Sequence, residues 1–313
     1  MSLDVGIMIE GQEGLTWERW RRLAQAAEDL GYESLFRSDH LTGLFGASDR
    51  SSLDCWASLT WLATATRRIR FGPLVSPLTF YHPAVLARRA AAVDVLSGGR
   101  LDLGIGAGWH EGEHRMFGIP FPALGERLDR LDCGARVIRA LWRGGKTSLD
   151  QPHYPLVDAE TTPRPERGWL VVGARGERRT LRTVAAMADE WNTTRVTPAD
   201  YPAKVAALER HCRDVGRDPS SIRRSLMVPV VVGRSAAELD RRRGRIAEIF
   251  PRVPPDAEGW RAAGFLHGTP DDVRRDLEQW RRLGVSRVML QMLDQDDIAA
   301  IELIAHEVLP AFR

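Results

Sequence analysis

Short apolar runs alternate along the chain with amphipathic stretches of helical period, and this rhythm more than any other feature limits the folds open to it. Eight such runs are read: Asp4 to Ile9, Ser34 to Arg37, Ile69 to Val75, Leu101 to Ile105, Trp169 to Gly173, Glu190 to Asn192, Leu226 to Val232 and Arg287 to Gln291. Each has the length of a strand rather than of a helix. The stretches between them open near Thr16, Asp54, Pro83, Leu124, Glu177, Pro198, Ala236, Pro270 and Asp296, several with Thr, Asp or Pro in a helix-start position. Strands each followed by a helix predict an α/β fold, a closed (β/α)8 TIM barrel forming one domain over 1–313. Two stretches break the rhythm: 142–167, containing Gln151-Pro152-His153-Tyr154, and 250–265, containing Pro251, Pro254 and Pro255. Both are expected as insertions over the carboxyl-terminal face, as loops or a small hairpin.

Charge excludes some partners. The 44 basic and 42 acidic side chains nearly cancel, and clusters such as Arg241-Arg242-Arg243 alternate with acids along helical stretches. That pattern describes solvated helix faces, so no nucleic-acid partner is expected. Cys55, Cys133 and Cys212 lie far apart, without the spacing of a disulfide framework or a zinc cluster. They fit a reducing cytosol. With no run of about 18 apolar residues and no basic segment leading into an apolar one at the start, a cytoplasmic protein with no membrane partner is expected.

Chemistry belongs at the carboxyl ends of barrel strands. There, after the second run, stands Ser38-Asp39-His40. A carboxylate beside an imidazole can bind a polar ring edge and move a proton near neutral pH. The plainer alternative is an Asp that caps the next segment and a His that fills a turn. After the fourth run comes Gly104-Ile105-Gly106-Ala107-Gly108-Trp109, whose glycines would let backbone approach a flat ligand. The spacing is not that of a dinucleotide fingerprint, and a turn at Phe117-Gly118-Ile119-Pro120 stands where the helix should continue. His110-Glu111-Gly112-Glu113-His114 matches the zinc-protease pattern formally, but Gly112 sits inside a short segment, and no metal site is expected. After the fifth run, Gly173-Ala174-Arg175-Gly176-Glu177-Arg178 leads into a helix. Free amides there, with Arg175 or Arg178, suit a phosphate; an ordinary βα turn is the alternative.

Together these segments resemble the bacterial-luciferase-like family of flavin and deazaflavin oxidoreductases, and more closely its coenzyme F420-dependent branch. The resemblance runs from Gly6 to Phe312. It is carried by Ser38-Asp39-His40, by Gly72-Pro73-Leu74-Val75-Ser76-Pro77 with His82-Pro83, by Asp94 to Arg100, by Gly104 to Trp109 with Glu113, by Gly173 to Leu181 with Ala188 to Asn192, and by Gly268-Thr269-Pro270. It implies a barrel holding the cofactor ring at the carboxyl ends of the strands, with Asp39 and His40 beside ring and substrate. Leu74, Val75 and Ser76 would form a bulge behind the ring, where the family often has a non-proline cis peptide. Ala107, Gly108 and Trp109 would border the ring, and Gly173, Ala174, Arg175, Gly176, Glu177 and Arg178 would hold its phosphate.

The function so implied is hydride transfer between coenzyme F420 and a small organic substrate. His40 would be the catalytic proton carrier, and Asp39 would bond the cofactor or fix the imidazole. Sugar-phosphate dehydrogenases of the family carry an acidic residue where Trp109 stands, so a more apolar pocket is expected here, with Trp191 and His267 as further candidates to line it. An FMN- or reduced-flavin-dependent monooxygenase of the same fold is the alternative, and a non-catalytic flavin-binding protein a third reading. The family also implies a homodimer.

Overall fold

Residues 2–45 and 49–313 are described by a computed structural model. The apolar runs become strands buried on both faces, as parallel strands covered by helices must be. They are β1 (Asp4–Ile9), β2 (Ser34–Arg37), β3 (Arg70–Pro73), β4 (Ser76–Pro77), β5 (Asp102–Gly106), β6 (Thr147–Leu149), β7 (Leu156–Ala159), β8 (Trp169–Gly173), β9 (Glu190–Thr194), β10 (Arg223–Val232), β11 (Leu266–Gly268) and β12 (Arg287–Met292). Nine of them run β3-β2-β1-β12-β10-β9-β8-β5-β4 in a nearly closed parallel barrel. A Phe71–Leu101 bridge joins β3 to the start of β5. The expected run Ile69 to Val75 holds one strand, β3, which pairs with β2, and the stave continues past it in β4, which pairs with β5 beyond a cis peptide between Leu74 and Val75. Together they make one stave of eight.

Eleven α-helices accompany the strands among the described residues: α1 (Trp17–Asp29), α2 (Cys55–Ala65), α3 (Pro83–Ser97), α4 (Glu111–Met116), α5 (Leu124–Arg143), α6 (Thr180–Met187), α7 (Tyr201–Asp214), α8 (Ala236–Ile249), α9 (Ala257–Ala262), α10 (Pro270–Arg282) and α11 (Ile298–Glu307). Their starts follow the capping logic of the sequence. Thr16, Asp54, Ser235 and Thr269 each accept an amide of the first turn, and Thr269 forms a reciprocal box with Asp272.

Strand alternation divides the core. Ile7 and Ile9 belong to the cluster between sheet and helices, while Met8 joins Phe36, Leu74, Val171 and Met289 in a separate cluster within the barrel. Below that cluster, at the amino ends of the strands, Arg287 is fully buried among carboxylates. It reaches Asp102 at 2.9 Å, Glu190 at 3.1 Å and Glu33 at 2.8 Å. Charge and apolar packing therefore plug one end, and the carboxyl end is left for chemistry.

The insertion at 142–167 contains the hairpin of β6 and β7. Its turn reaches the carboxyl-end rim, where the Tyr154 hydroxyl donates to Leu78 O at 3.3 Å. The insertion at 250–265 contains α9, and Phe250 packs on Phe45 of the loop after β2 with ring centroids 5.6 Å apart. β11, a strand of three residues beside β10, is an element the sequence reading lacks.

Candidate active site

Strands β1, β2 and β12 deliver a connected set of polar side chains to the open end. Glu10, just past β1, is buried and accepts from Gln12 Nε2 at 2.8 Å and from Gln291 Nε2 at the end of β12. Gln12 in turn accepts from the Ser38 hydroxyl, and Ser38 Oγ accepts the Gly11 amide at 2.8 Å. This lattice fixes the start of the Ser38-Asp39-His40 segment. Neither Glu10 nor the two glutamines carries a sequence motif.

Asp39 is buried, and both its oxygens are engaged. Ser76 Oγ donates to one at 2.5 Å and the Tyr81 hydroxyl to the other at 3.1 Å, while Trp56 Nε1 donates to Ser76 at 3.2 Å. Burial pushes the Asp39 carboxyl above its ordinary pKa, against the opposing pull of the Ser76 bond, Arg37, the Tyr81 bond and His40. Asp39 therefore ties β2 to β4 and, of the two roles expected of it, bonding the cofactor or fixing the imidazole, does not fill the second by a hydrogen bond.

Glu113 of α4 does that instead. Its Oε1 lies 2.8 Å from His40 Nδ1, and its Oε2 accepts the Leu41 amide at 3.1 Å. Burial works against a charged ring at His40, but the bond and charge of Glu113, with Glu10 and Asp39 behind, outweigh it and hold its pKa above the ordinary value. Trp109 stands edge-to-face with the His40 ring, centroids 5.8 Å apart, and is 57% exposed. An imidazole with one nitrogen committed to a carboxylate exchanges protons through the other, Nε2.

The Leu74–Val75 bulge explains the glycine run differently from a flat ligand. A Cβ on Gly106 would meet Val75 Cγ2 at 2.5 Å, and one on Gly104 would meet the Pro73 carbonyl oxygen at 2.2 Å. These two glycines admit a neighbouring stave. Beyond them Ala107 and Gly108 are half-buried at the strand end, beside the exposed Trp109.

After β8, Gly173 is half-buried and Ala174 buried, and the Ala174 amide is already given to Asn192 O at 2.9 Å. It is not free for a phosphate. Arg175, Gly176, Glu177 and Arg178 are exposed, and α6 starts at Thr180 rather than at Glu177. The loop is drawn along α7 first: Lys204 Nζ donates to Arg175 O at 3.0 Å, and His211 Nε2 to Glu177 O at 2.8 Å. Among the described residues neither Arg175 nor Arg178 makes an ion pair, so both remain available to an anion.

The remaining candidates have structural work. Trp191 is fully buried, stacks on Tyr201 at 5.6 Å and donates to Ala174 O at 2.9 Å. His267 is buried with its Nε2 2.8 Å from Arg243, and burial followed by the charges of Arg243 and Arg261 lowers its pKa. In the zinc-like motif, His110 Nδ1 accepts the Glu113 amide at 3.2 Å, and His114 bonds His110 O and Thr79 at 2.7 and 2.8 Å. No group of three or more metal-ligating side chains converges among the described residues.

The model of the luciferase-like monooxygenase family matches residues 3–272. The chain belongs to that family. This luciferase-like chain is 28% identical over 296 residues to the phthiodiolone/phenolphthiodiolone dimycocerosates ketoreductase of Mycobacterium tuberculosis, covering 87% of this chain and 74% of the relative. It is 35% identical over 148 residues to the F420-dependent glucose-6-phosphate dehydrogenase of Amycolatopsis mediterranei, covering 46% of this chain and 43% of that one. A solved F420-dependent secondary alcohol dehydrogenase, in complex with an F420-acetone adduct, shares the fold at a TM-score of 0.83 with 19% identity and full coverage of both chains. The luciferase-like chain is accordingly an oxidoreductase. No helix among the described residues is long and apolar enough to cross a membrane.

Proposed function

We propose that the chain passes hydride between coenzyme F420 and a small organic alcohol or carbonyl compound, with His40 as the catalytic proton carrier. The observation that carries this is the His40–Glu113 pair at the open end of the barrel, 2.8 Å across, beside an exposed Trp109. The named activities of the ketoreductase and dehydrogenase relatives support the same chemistry.

The residues fit the cofactor. Leu74 and Val75 form an apolar wall near the strand ends, with Ala107, Gly108 and Trp109 beside it for the ring edge. Arg175 and Arg178, exposed in the loop after β8, have charge for a phosphate with no ion pair among the described residues. When bound, the deazaflavin supplies a carbon that gives or accepts hydride. His40 Nε2 takes the hydroxyl proton of an alcohol as hydride leaves carbon, or returns a proton to the oxygen of a carbonyl as hydride arrives. Glu113 positions the ring and favours its charged form. Asp39 holds β2 to β4 and so holds His40 in place. Trp109 gives the substrate side an apolar face, which suits a substrate less polar than a sugar phosphate.

FMN is the alternative cofactor, as the family's monooxygenase description allows. The partner of choice is a second copy of this chain. α2 carries no charged residue, and Val85, Ala92, Val95 and Leu96 of the adjoining α3 are exposed together with Arg88 and Arg89. Three buried free cysteines accord with a cytoplasmic setting.

The test is bleaching of the oxidised deazaflavin by a panel of secondary alcohols, in wild type and His40→Ala. Turnover lost with cofactor binding kept supports the reading, and wild-type turnover in the variant contradicts it.

A further inference from the structure

Glu13, in the loop after β1, has a fully buried side chain, and the chemistry assigned to His40 makes no use of it. Its Oε1 accepts the Leu44 amide at 2.6 Å and the Phe45 amide at 3.1 Å, and its Oε2 accepts from Arg50 Nη1 at 3.1 Å. All of these donors lie in the loop that leaves β2 through His40. The same Arg50 Nη1 also donates to Ile249 O, on the last residue of α8, at 2.9 Å. That carbonyl is one of those a helix leaves without an intrahelical partner at its C-terminus, where a cation also suits the dipole. One guanidinium nitrogen therefore serves a buried carboxylate of the barrel and the end of α8 together.

The elements joined in this way surround His40. Residues 233–268, with α8, α9 and β11, stand beyond the carboxyl ends of the barrel strands, because β11 pairs with the end of β10 at Val230 to Val232. This cap has its own apolar core around Val231, Phe250, Trp260 and Leu293, and Phe45 of the β2 loop packs against it. The β2 loop is closed at its stem, where Ser52 Oγ donates to His40 O at 3.3 Å and Glu113 holds the Leu41 amide. With the stem fixed at His40, the hold of Glu13 on Leu44 and Phe45 decides where the rest of the loop stands relative to the cap.

We propose that Glu13 and Arg50 are positioning residues that clamp Phe45 against Phe250 and so set the size of the substrate admitted beside His40. The proposal rests on the hydride-transfer reading above and adds specificity to it. Neither residue touches the reacting atoms. Proton and hydride leave an alcohol from adjacent atoms, so the substrate must be held in one pose against His40 and the cofactor, and a wall that moves by about 1 Å costs much of that advantage. A small alcohol depends on a fixed wall more than a large one, which fills the space by itself.

Two variants and two measurements test the clamp. Arg50→Met removes the cation and keeps an apolar stem, and Arg50→Lys keeps a cation. Hydrogen exchange on the whole apo-protein needs no cofactor: in Arg50→Met the amides of Leu44, Phe45 and residues 250–265 exchange about tenfold or more faster than in wild type, while those of β1 and β2 keep their rates. Bleaching of F420 by secondary alcohols of increasing size reads the consequence. In Arg50→Met the KM of the smallest alcohol rises about tenfold, the preference in kcat/KM moves toward larger ones, and the pH step of His40 stays in place. Arg50→Lys recovers part of both effects. Unchanged exchange in Arg50→Met overturns the clamp, and faster exchange with the wild-type size preference overturns its role in specificity. A wild type that binds F420 but bleaches it with no alcohol or carbonyl partner overturns the hydride-transfer reading, and the substrate role of the clamp with it.

Discussion

Glu113 Oε1 sits 2.8 Å from Nδ1 of His40, closing a contact across 73 residues of sequence and two different βα units. The carboxylate fixes which imidazole nitrogen faces it and raises the pKa of the ring despite burial. That shift favours the charged ring, the state needed when a carbonyl is reduced. Glu113 acts through His40 and is a positioning residue.

Glu113→Gln keeps a hydrogen bond and removes the charge. The His40 pKa then falls, and the step in the kcat/KM profile that reports it moves to lower pH, with carbonyl reduction at pH 7 reduced by about tenfold or more. The profile is the check; a step that stays in place contradicts the pairing.

Stability carries the same signature. A histidine whose pKa is raised on folding adds stability that is fully present below its unfolded value, 6.5, and is lost as pH rises through the folded one. The gap in unfolding free energy between wild type and Glu113→Gln is therefore largest below pH 6.5 and narrows above it. Urea melts across that range measure it.

Gly106→Ala forces a Cβ against Val75 Cγ2 at 2.5 Å, and Gly104→Ala forces one against the Pro73 carbonyl oxygen at 2.2 Å. Each costs about 1–3 kcal/mol by overpacking. Val75→Ala rescues the first substitution, since a side chain is the obstacle, and leaves the second unrescued, since backbone is. Thermal melts of the two double variants distinguish the cases.

Arg287→Met leaves Asp102, Glu190 and Glu33 without the cation that joins them. Removing one partner from a buried charge cluster costs about 3–5 kcal/mol. Chemical denaturation of the variant tests this; a loss under about 1 kcal/mol would show that water or rearranged arginines replace it.

Leu96→Glu places a charge beside the exposed Val95 at the end of α3. Sedimentation of wild type as a dimer and of this variant as a monomer is expected; a monomeric wild type removes the paired-helix assignment.

Much of the barrel was legible because strands buried on both faces leave continuous apolar runs. Asp4–Ile9 and Trp169–Gly173 agree residue for residue with their strands. β11 was not legible, since Leu266–Gly268 is too short to show a period and pairs only with β10. The break between Leu74 and Val75 left no mark in hydrophobicity, and only the family resemblance pointed there. Of the site, His40 and Asp39 stood out by position after a strand. Glu113 stood out only through the family resemblance, inside a motif that imitates a zinc site, and its pairing with His40 had no signal because the two follow different strands. Glu10 and Gln291 meet only when β1 and β12 pair, a contact that no local pattern encodes.

The central claim is the cofactor, and titration of the apo-protein by ligand fluorescence tests it most directly. Oxidised coenzyme F420 and, separately, oxidised and reduced FMN are the ligands. The account predicts selective F420 binding at low-micromolar level, about −8 kcal/mol. Preference for reduced FMN would contradict it and place the chain with the monooxygenases.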